Sequence, residues 1–240
     1  MTQAQSFAPV KVFCLIPRRP DMTEAAFHDY WRHPHGTLAK QITSVRRYVQ
    51  AHALPQQPAN SSGHDGVAEL WFDDVETANT LNTDTDYSDY CGKDEWNFMD
   101  LGPNTFRVLT RPRAVFGSAP DDGGVKLMVL IKADNADGDA VADALGAVER
   151  VAAAEKAGAF AGVVNPAVPE SYVDELPSRG PLHHWLSLEP YDVVYELWWK
   201  DAESLREAVS GAALDDILAV PGVNADDLAV LAIQDEVVIP

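Results

Sequence analysis

The spacing of apolar residues predicts six secondary-structure elements in the first half of the chain. Short runs in which apolar residues are continuous or alternate with polar residues are typical of strands, whereas apolar residues at every third or fourth position are typical of helices. Thr23 is a suitable N-cap for the first helix, because its side-chain oxygen can accept a hydrogen bond from the first turn. The predicted elements are strands at 10–16, 45–53, 66–72 and 106–116, a helix that follows Thr23, and a helix at 74–81.

The second half predicts the same order of elements, and its sequence repeats parts of the first half. Val10–Ile16 matches Val125–Ile131, and further along the chain Val67–Phe72 matches Val194–Trp199. Such self-similarity at similar offsets indicates a duplication, and a turn-rich stretch at 120–124 lies at the expected junction. The predicted elements of the second half are at 125–132, 139–157, 159–164, 192–199, 201–210 and 226–238.

The order β-α-β-β-α-β in each half is that of the ferredoxin-like fold. A sheet of this kind covers one face with its helices and needs a partner for the other face. We therefore predict an α+β chain of two ferredoxin-like halves, residues 1–119 and 120–240, that together form a dimeric α/β barrel within one polypeptide. The long segment 165–190, which contains His183 and His184, is either a lid or binding loop, or else a surface insertion or an oligomer contact.

Alternation along the strands predicts which side chains face the interior of this barrel. On the second and third strands we assign the more apolar set to the helix-covered face and the other set to the interior. Polar and aromatic side chains on a covered face are costly unless a pocket satisfies them, so the interior set predicts a ligand pocket. The helix-facing set is Val45, Val49, Ala51, Ala68, Leu70 and Phe72, and the interior set is Arg46, Tyr48, Gln50, His52, Val67, Glu69 and Trp71, with Glu196 and Trp198 at the matching positions of the second half.

The densest group of reactive side chains lies at residues 30–36. Helical spacing from Phe27 places Trp31 and His35 on the buried face, although Pro34 predicts a kink or a restart of the helix. A histidine near an apolar face can act as an acid or a base near neutral pH. A structural histidine that is bonded to a carbonyl group is the alternative interpretation.

Further motifs follow in a fixed order between residues 10 and 116: Phe13 to Arg18, Thr23, Phe27, Tyr30-Trp31, His35-Gly36, Leu38-Ala39, Tyr48, Gln50, the run Asp65 to Phe72, and Asp94-Glu95 with Phe98 and Asp100. With these motifs the first half resembles the EthD family. The resemblance implies a dimeric α/β barrel. It also implies a superfamily that contains cofactor-independent isomerases, cyclases and dehydratases, quinone-forming monooxygenases, some haem enzymes and small accessory proteins.

The resemblance also implies which residues line the pocket. In such enzymes the pocket is lined by a histidine after the first helix and by a tyrosine or histidine on the second strand, which makes His35, Tyr48 and His52 the candidate catalytic residues. The second half has no counterpart of residues 30–36, so we expect a degenerate copy that serves as scaffold and wall. The candidate substrate-binding residues are Trp31, Arg46, Gln50, Glu69, Trp71 and Trp198.

Charge and composition narrow the partners of the chain. With 18 Lys and Arg against 37 Asp and Glu, the formal net charge is −19, which disfavours nucleic acid and anionic membranes. Two cysteines without a pairing pattern, and no long apolar run, fit a cytoplasmic protein. Residues 84–95 mix aspartates with aromatic residues, which is typical of a solvated helix with aromatic anchors or of the mouth of a pocket. We expect a small-molecule substrate, and homodimerisation of the fused pair stays open.

The sequence predicts neither a cofactor nor a metal. It has no glycine-rich phosphate loop, and its histidines lack the spacing of metal ligands. We therefore predict a cofactor-independent lyase, isomerase, cyclase or dehydratase that uses histidine acid–base chemistry on a small, apolar, oxygenated molecule, aromatic or lactone-like, in catabolism or secondary metabolism. Two alternatives stay open: a non-catalytic accessory protein that binds a small molecule, and an oxygenase that works without a cofactor or with haem.

Overall fold

The computed structural model describes residues 9–55, 61–101, 105–133, 137–168, 191–211 and 213–240. Within these ranges nine strands form one antiparallel sheet. The strands are β1 (Val10–Ile16), β2 (Arg47–Ala53), β3 (Gly66–Phe72), β4 (Phe106–Thr110), β5 (Arg113–Phe116), β6 (Val125–Ile131), β7 (Ala161–Pro166), β8 (Val193–Trp199) and β9 (Leu228–Ile239). Their order across the sheet is β4-β1-β3-β2-β9-β6-β8-β7-β5.

The two ends of this order are joined by one stretch of chain, so the sheet curls on itself. β4 pairs with β1, β5 pairs with β7, and only Arg111 and Pro112 separate β4 from β5. Pro112 has no N–H for a strand ladder, whereas the Arg111 N–H donates to the carbonyl oxygen of Pro166 at 3.1 Å. The predicted strand 106–116 is therefore two strands, which bend where the chain passes between the halves of the sheet.

Short helices cover the outer face of the curled sheet. Thr23 caps the first of them as predicted, because its Oγ1 accepts a hydrogen bond from the Ala26 N–H at 3.2 Å. The predicted helix at 139–157 is divided in two. The α-helices are α1 (Glu24–Tyr30), α2 (Gly36–Ala39), α3 (Val75–Thr80), α4 (Gly92–Asp94), α5 (Gly138–Leu145), α6 (Val148–Lys156), α7 (Ala202–Ser210) and α8 (Ala213–Leu218), and π-helical turns occupy Trp31–His35 and Tyr87–Cys91.

The core is divided by the sheet into three parts. One apolar cluster joins the outer face of the first half to its helices, through residues such as Phe27 and Leu70. A second does the same in the second half, with Leu205 and Trp199. The third consists of strand residues from both halves, among them Phe13, and fills the barrel interior. The sheet thus has a helix-covered outer face and an inner face that the two halves share.

The two halves of the chain contribute strands in the same order. Residues 10–110 give β4-β1-β3-β2, and residues 125–239 give β9-β6-β8-β7. The halves are joined by the pairs β2–β9 and β5–β7.

His183 and His184 lie outside the described residues, as does most of the segment 165–190. No helix within the described ranges is both long and apolar enough to cross a membrane.

The second strand faces the opposite way from the prediction. Tyr48, Gln50 and His52 point towards the helices, since they lie opposite helix-facing residues of β3, for example Tyr48 opposite Leu70. Ala51 instead belongs to the barrel-interior cluster, and Val49 also faces the barrel interior. Val45, which precedes β2, packs with the helices as predicted. The prediction is wrong because it assigned the apolar set to the helices, whereas hydrogen bonds to the helices satisfy the polar set of β2 on this face.

Charged residues from opposite halves meet inside the barrel, and we call Lys11, Glu69, Lys126 and Glu196 the barrel ion cluster. Lys11 Nζ lies 2.7 Å from Glu69 Oε2 and 2.7 Å from Glu196 Oε2. Lys126 Nζ lies 2.8 Å from Glu196 Oε1 and also contacts Glu69. Lys126 further lies 3.0 Å from Asp235 Oδ1. The two lysines stand at matching positions of the sequence repeat, as do the two glutamates, so the cluster links the halves across the barrel.

We predict that Lys126→Met strongly destabilises the fold. The variant leaves Glu69 and Glu196 with the single amine of Lys11 and Asp235 without its amine, and removing one partner of a buried ion pair costs about 3–5 kcal/mol. Urea denaturation at neutral pH measures the change. Arg46→Gln breaks the exposed ion pair with Asp73 and is the control that should keep a midpoint close to wild type. Similar midpoints for both variants would show that the cluster does not hold the halves together.

Candidate functional site

A π-helical turn at Trp31–His35 brings His35 to the face that packs on the sheet. Pro34 has no N–H and its ring crowds the preceding turn, yet the helix continues, because it widens until the Gly36 N–H reaches the Trp31 carbonyl and then runs into α2. The kink or restart predicted at Pro34 is thus a single widened turn, a rare feature that is frequent at functional sites. The turn buries Trp31 completely and leaves His35 6% exposed.

Polar side chains of β2 and α1 hold this turn in place. Gln50 Nε2 donates to the Trp31 carbonyl at 2.7 Å, which orients the Gln50 amide so that its oxygen accepts from His52 Nε2 at 3.2 Å. His52 Nδ1 is then the acceptor for His28 Nδ1–H, 2.8 Å away. Burial and the nearby Arg32 guanidinium lower the pKa of His52 to about 2 and that of His28 to about 4. Both rings are therefore neutral, and His52 supports the turn.

Asp94 holds the imidazole ring of His35. His35 Nδ1 lies 3.0 Å from Asp94 Oδ2. Asp94 Oδ1 accepts hydrogen bonds from the Tyr30 hydroxyl at 2.7 Å and from the Asn97 amide at 2.9 Å. Although burial favours the neutral carboxyl, these hydrogen bonds hold the pKa of Asp94 below its usual range. An ionised carboxylate at Nδ1 orients the imidazole ring and stabilises its charged form.

Cys91 lies against the other nitrogen of the same ring. Its Sγ is 3.3 Å from His35 Nε2 and 4.0 Å from His35 Nδ1, and Cys91 is the last residue of the second π-helical turn, Tyr87–Cys91. The thiol, the imidazole and the carboxylate of Asp94 thus follow one another as a nucleophile, a base and an orienting group do in enzymes with activated nucleophiles. Cys91 is 2% exposed, so this chain of contacts is shielded from bulk water.

These groups line a cavity between the sheet and the helices of the first half, which we call the His35 cavity. Its volume is about 40 Å³, and Tyr48 and Glu95 also line it. The Tyr48 hydroxyl accepts a hydrogen bond from Trp31 Nε1 at 2.9 Å. Burial raises the pKa of Tyr48 well above its usual value, so the phenol keeps its proton and can donate it in a hydrogen bond.

The contacts of His35 favour its charged form. Burial alone lowers the pKa of His35, but the adjacent Cys91 sulfur and the hydrogen bond with Asp94 outweigh burial and raise this pKa from near 6.5 to about 10. The ring is therefore an imidazolium at neutral pH. In this state His35 can give a proton to a bound molecule, and it must first lose that proton to act as a base.

A second cavity, of about 260 Å³, lies on the opposite face of the sheet, inside the barrel. Glu69, Trp71 and Trp198 line this barrel cavity, as their alternation along the strands predicts. The Lys11 ammonium lies 4.3 Å from the centroid of the Trp71 ring, and the Lys126 ammonium lies 5.2 Å from that of Trp198. Both are within the range of cation–π interactions.

The predicted site residues are therefore not in one pocket. His35 and Tyr48 line the cavity outside the sheet, while the tryptophans and glutamate of the barrel cavity lie on the inner face. Arg46 lines neither cavity, because its side chain is 54% exposed and pairs with Asp73. The sheet separates the two groups because the side chains of β2 alternate in the opposite sense from the prediction. A difference of one residue in this alternation exchanges the two faces of a strand.

Asp94 and Cys91 are the site residues that the sequence did not identify. No local spacing connects either of them to His35, from which they are 59 and 56 positions away. Two features of the sequence pointed towards them. One is the Asp94-Glu95 pair among the family motifs, and the other is the aromatic and acidic composition of 84–95, which is typical of a solvated helix or of a pocket mouth. Tyr87, Cys91 and Glu95 from this segment do line the His35 cavity.

Among the described residues no three His, Cys, Asp or Glu side chains could hold a metal ion together.

Solved structures with a similar fold span nearly the whole chain. An anthrone oxidase-like protein is 12% identical with a TM-score of 0.58, and the match covers 98% of this chain and 94% of that protein. A candidate monooxygenase from Lactobacillus acidophilus is 9% identical with a TM-score of 0.51, over 95% and 94% of the two chains. Chlorite dismutase from Candidatus Nitrospira defluvii is 9% identical with a TM-score of 0.51, over 96% and 92%. At these identities the matches show the fold alone, a curled antiparallel sheet of the dimeric α/β-barrel kind.

The family comparison is more specific than the fold. Residues 19–102 match the model of the EthD domain, as the motifs of the first half predict. The matched range includes His35, Tyr48, Cys91 and Asp94. No curated protein matches the chain at a significant level.

We predict that the stability contributed by His35 falls as the pH rises above neutrality. A histidine whose pKa is raised on folding stabilises the folded state most below its unfolded pKa, near 6.5, and this contribution is lost as the pH rises through about 10. One proton changes the free energy of unfolding by at most about 1.4 kcal/mol per pH unit. Chemical denaturation of wild type and His35→Asn between about pH 7 and pH 10 measures the difference, which should shrink with pH. A constant difference would contradict the raised pKa.

Proposed function

We propose that the chain is an enzyme that transfers a proton to a small oxygenated molecule in the His35 cavity, with His35 as the acid and Asp94 as the group that orients it. The 3.0 Å contact between His35 Nδ1 and Asp94 Oδ2 carries the proposal, because it fixes a charged imidazole in a shielded cavity. Isomerisation, cyclisation and dehydration need only such proton transfers. The reaction is therefore of the lyase or isomerase type and uses no cofactor.

Each group in the cavity has a defined part in this chemistry. His35 Nε2–H gives its proton to an oxygen of the substrate, and Asp94 keeps the ring oriented while it is neutral. The Tyr48 hydroxyl donates a hydrogen bond to the same or a second substrate oxygen. Such transfers need heavy-atom distances of about 2.6–3.2 Å. Cys91 Sγ packs against the His35 ring, 3.3 Å from Nε2 and 4.0 Å from Nδ1, so the substrate binds beside or in place of this contact.

The size of the His35 cavity limits how a substrate enters. A cavity of about 150 Å³ is needed to hold benzene, and the His35 cavity measures about 40 Å³. A molecule with a ring therefore requires that the helical segment around Tyr87–Cys91 moves outward. In this segment Tyr90 is 53% exposed, whereas Tyr87 and Cys91 are buried.

We also propose that the barrel arose from two fused ferredoxin-like halves, of which the second no longer carries a reactive cavity. The shared strand order and the matching lysines and glutamates of the barrel ion cluster support this proposal. The second half then serves as the partner that an unfused chain would have to find in another copy. Residues 1–119 and 120–240 are the corresponding domains.

The barrel cavity supports a second candidate function, the binding of a small molecule without chemistry. Its volume of about 260 Å³ is sufficient for an aromatic ring. Trp71 and Trp198 offer ring faces, and Arg47 lies 5.4 Å from the centroid of Trp71. A planar, oxygenated or acidic molecule fits these groups, because it can stack on tryptophan and accept hydrogen bonds from a cation.

A ligand screen followed by chemical analysis tests the proposed function. Purified protein is screened by thermal shift against lactones, phenols, quinones and aromatic acids, since a ligand at a hundred times its Kd adds about 2.7 kcal/mol of stability. Each hit is incubated with the protein and analysed by mass-resolved chromatography, with oxygen uptake recorded in parallel. Conversion without oxygen uptake supports proton transfer. Conversion that consumes oxygen would overturn it in favour of the oxidase and monooxygenase activities that name some proteins of this fold.

For a substrate that is converted, we predict that His35→Asn and Asp94→Asn lower kcat by about 10²–10⁴-fold. Both variants keep the approximate size of the side chain while they remove the acid or the group that orients it. His33→Asn is the matched control, because His33 is 71% exposed at the same helix. Full turnover in folded His35→Asn would exclude the proposed role. A hit that is returned unchanged, and is lost in Trp198→Ala, would move the function to the barrel cavity.

A further inference from the structure

Cys91 has a chemical setting that the proposed proton transfer does not use. Its Sγ lines the His35 cavity and lies 3.3 Å from His35 Nε2. The opposite nitrogen of that ring is held 3.0 Å from Asp94 Oδ2. An imidazole in this position can take the proton of the thiol and leave a thiolate next to an imidazolium. The thiolate is the reactive form of cysteine.

A second cysteine lines the same cavity in a different setting. Cys14 on β1 is 3% exposed, against 2% for Cys91, so burial does not distinguish the two. Burial raises the pKa of the Cys14 thiol to about 12, although the Arg107 guanidinium acts against this shift. Cys14 therefore remains a protonated thiol, which is a poor nucleophile. The two cysteines form a matched pair that differs in its contact with the His35–Asp94 pair.

The volume of the cavity selects the class of reactant. One water molecule needs about 10–15 Å³ of such space, so the cavity of about 40 Å³ admits two or three groups of this size. Hydrogen peroxide has two heavy atoms and fits this space. Ring-shaped or branched electrophiles exceed it as the cavity stands. The Cys91 sulfur, which lines this cavity, is therefore accessible to hydrogen peroxide ahead of bulky reagents.

We infer that Cys91 is a peroxide-reactive thiol that hydrogen peroxide converts to a sulfenic acid with the help of His35. The thiolate sulfur attacks one peroxide oxygen, so that a sulfur–oxygen bond forms while the oxygen–oxygen bond breaks. The sulfur is oxidised by two electrons and the peroxide is reduced. The hydroxide that departs takes the Nε2 proton of His35 and leaves as water, and Asp94 holds the ring during this transfer. The product can be reduced by thiols, as sulfenic acids are.

The test needs no substrate of the protein, so it is independent of the proposed function. Full-length wild-type protein is treated with hydrogen peroxide at neutral pH, and the reaction is stopped with catalase. The protein is then unfolded, the remaining thiols are alkylated, and the peptides of both cysteines are quantified by mass spectrometry. We expect Cys91 to be oxidised roughly tenfold or more faster than Cys14 in the folded protein. In urea-unfolded protein the two rates should be similar.

Variants then test the part of His35. His35→Asn and Asp94→Asn should slow the oxidation of Cys91 roughly tenfold, because the thiol loses its proton acceptor or the acceptor loses its orientation. His33→Asn should leave the rate unchanged, since His33 lies at the surface. Circular dichroism verifies that each variant is folded. If a variant does not fold, the comparison of Cys91 with Cys14 in folded wild type stays decisive.

Two results would overturn the inference. The first is a Cys91 that is oxidised no faster than Cys14 in the folded protein, which would mean that burial alone governs both cysteines. The second is a folded His35→Asn variant that is oxidised at the wild-type rate. If Cys91→Ser loses turnover and neither of these results is observed, the loss bears on the proposed function and not on the reaction with peroxide.

Discussion

The barrel ion cluster is the constraint on which the rest of the structure depends. Lys11 and Lys126 bring a positive charge from each half into the barrel, and Glu69 and Glu196 do the same with negative charge. Each lysine contacts the glutamate of its own half and the glutamate of the other half, and a buried charge that loses a partner costs several kcal/mol. The cluster therefore specifies that the inner faces of the halves meet in one register. That register brings β9 against β2, the strand behind the His35 cavity.

The position of β2 decides which chemistry each face of the sheet can support. Its polar side chains point outward, where Gln50 holds the Trp31 carbonyl and so keeps the π-helical turn closed. Gly66 on the neighbouring strand leaves the space that the Trp31 ring occupies, since a Cβ at this position would overlap the ring. His35 is thereby fixed between Asp94 and Cys91. On the inner face, the charges compensate one another and the tryptophans line a larger cavity.

Much of this fold could be predicted from the sequence, because strand patterns and the similarity between the two halves can each be recognised in short stretches of residues. The elements of both halves, the Thr23 cap and the EthD resemblance follow from local residues, and the interior position of Glu69 follows from alternation. The face of β2 could not be predicted in this way. Tyr48 and His52 are polar for a reason that lies in the helix above them, and a strand read alone cannot show a partner in another element. Asp94 and Cys91 could not be predicted as site residues either, because only tertiary packing brings them to His35.

The protonation state of His35 is the property from which both proposed roles follow. Nitrogen-15 NMR of histidine-labelled protein reads the two ring nitrogens of His35 directly, with His35→Asn used to assign the signals. The structure predicts that both nitrogens carry a proton at about pH 8, and that one of them loses it only as the pH approaches 10. A neutral ring at pH 8 would contradict the account, because His35 would then be neither the acid of the proposed reaction nor the partner that keeps Cys91 reactive.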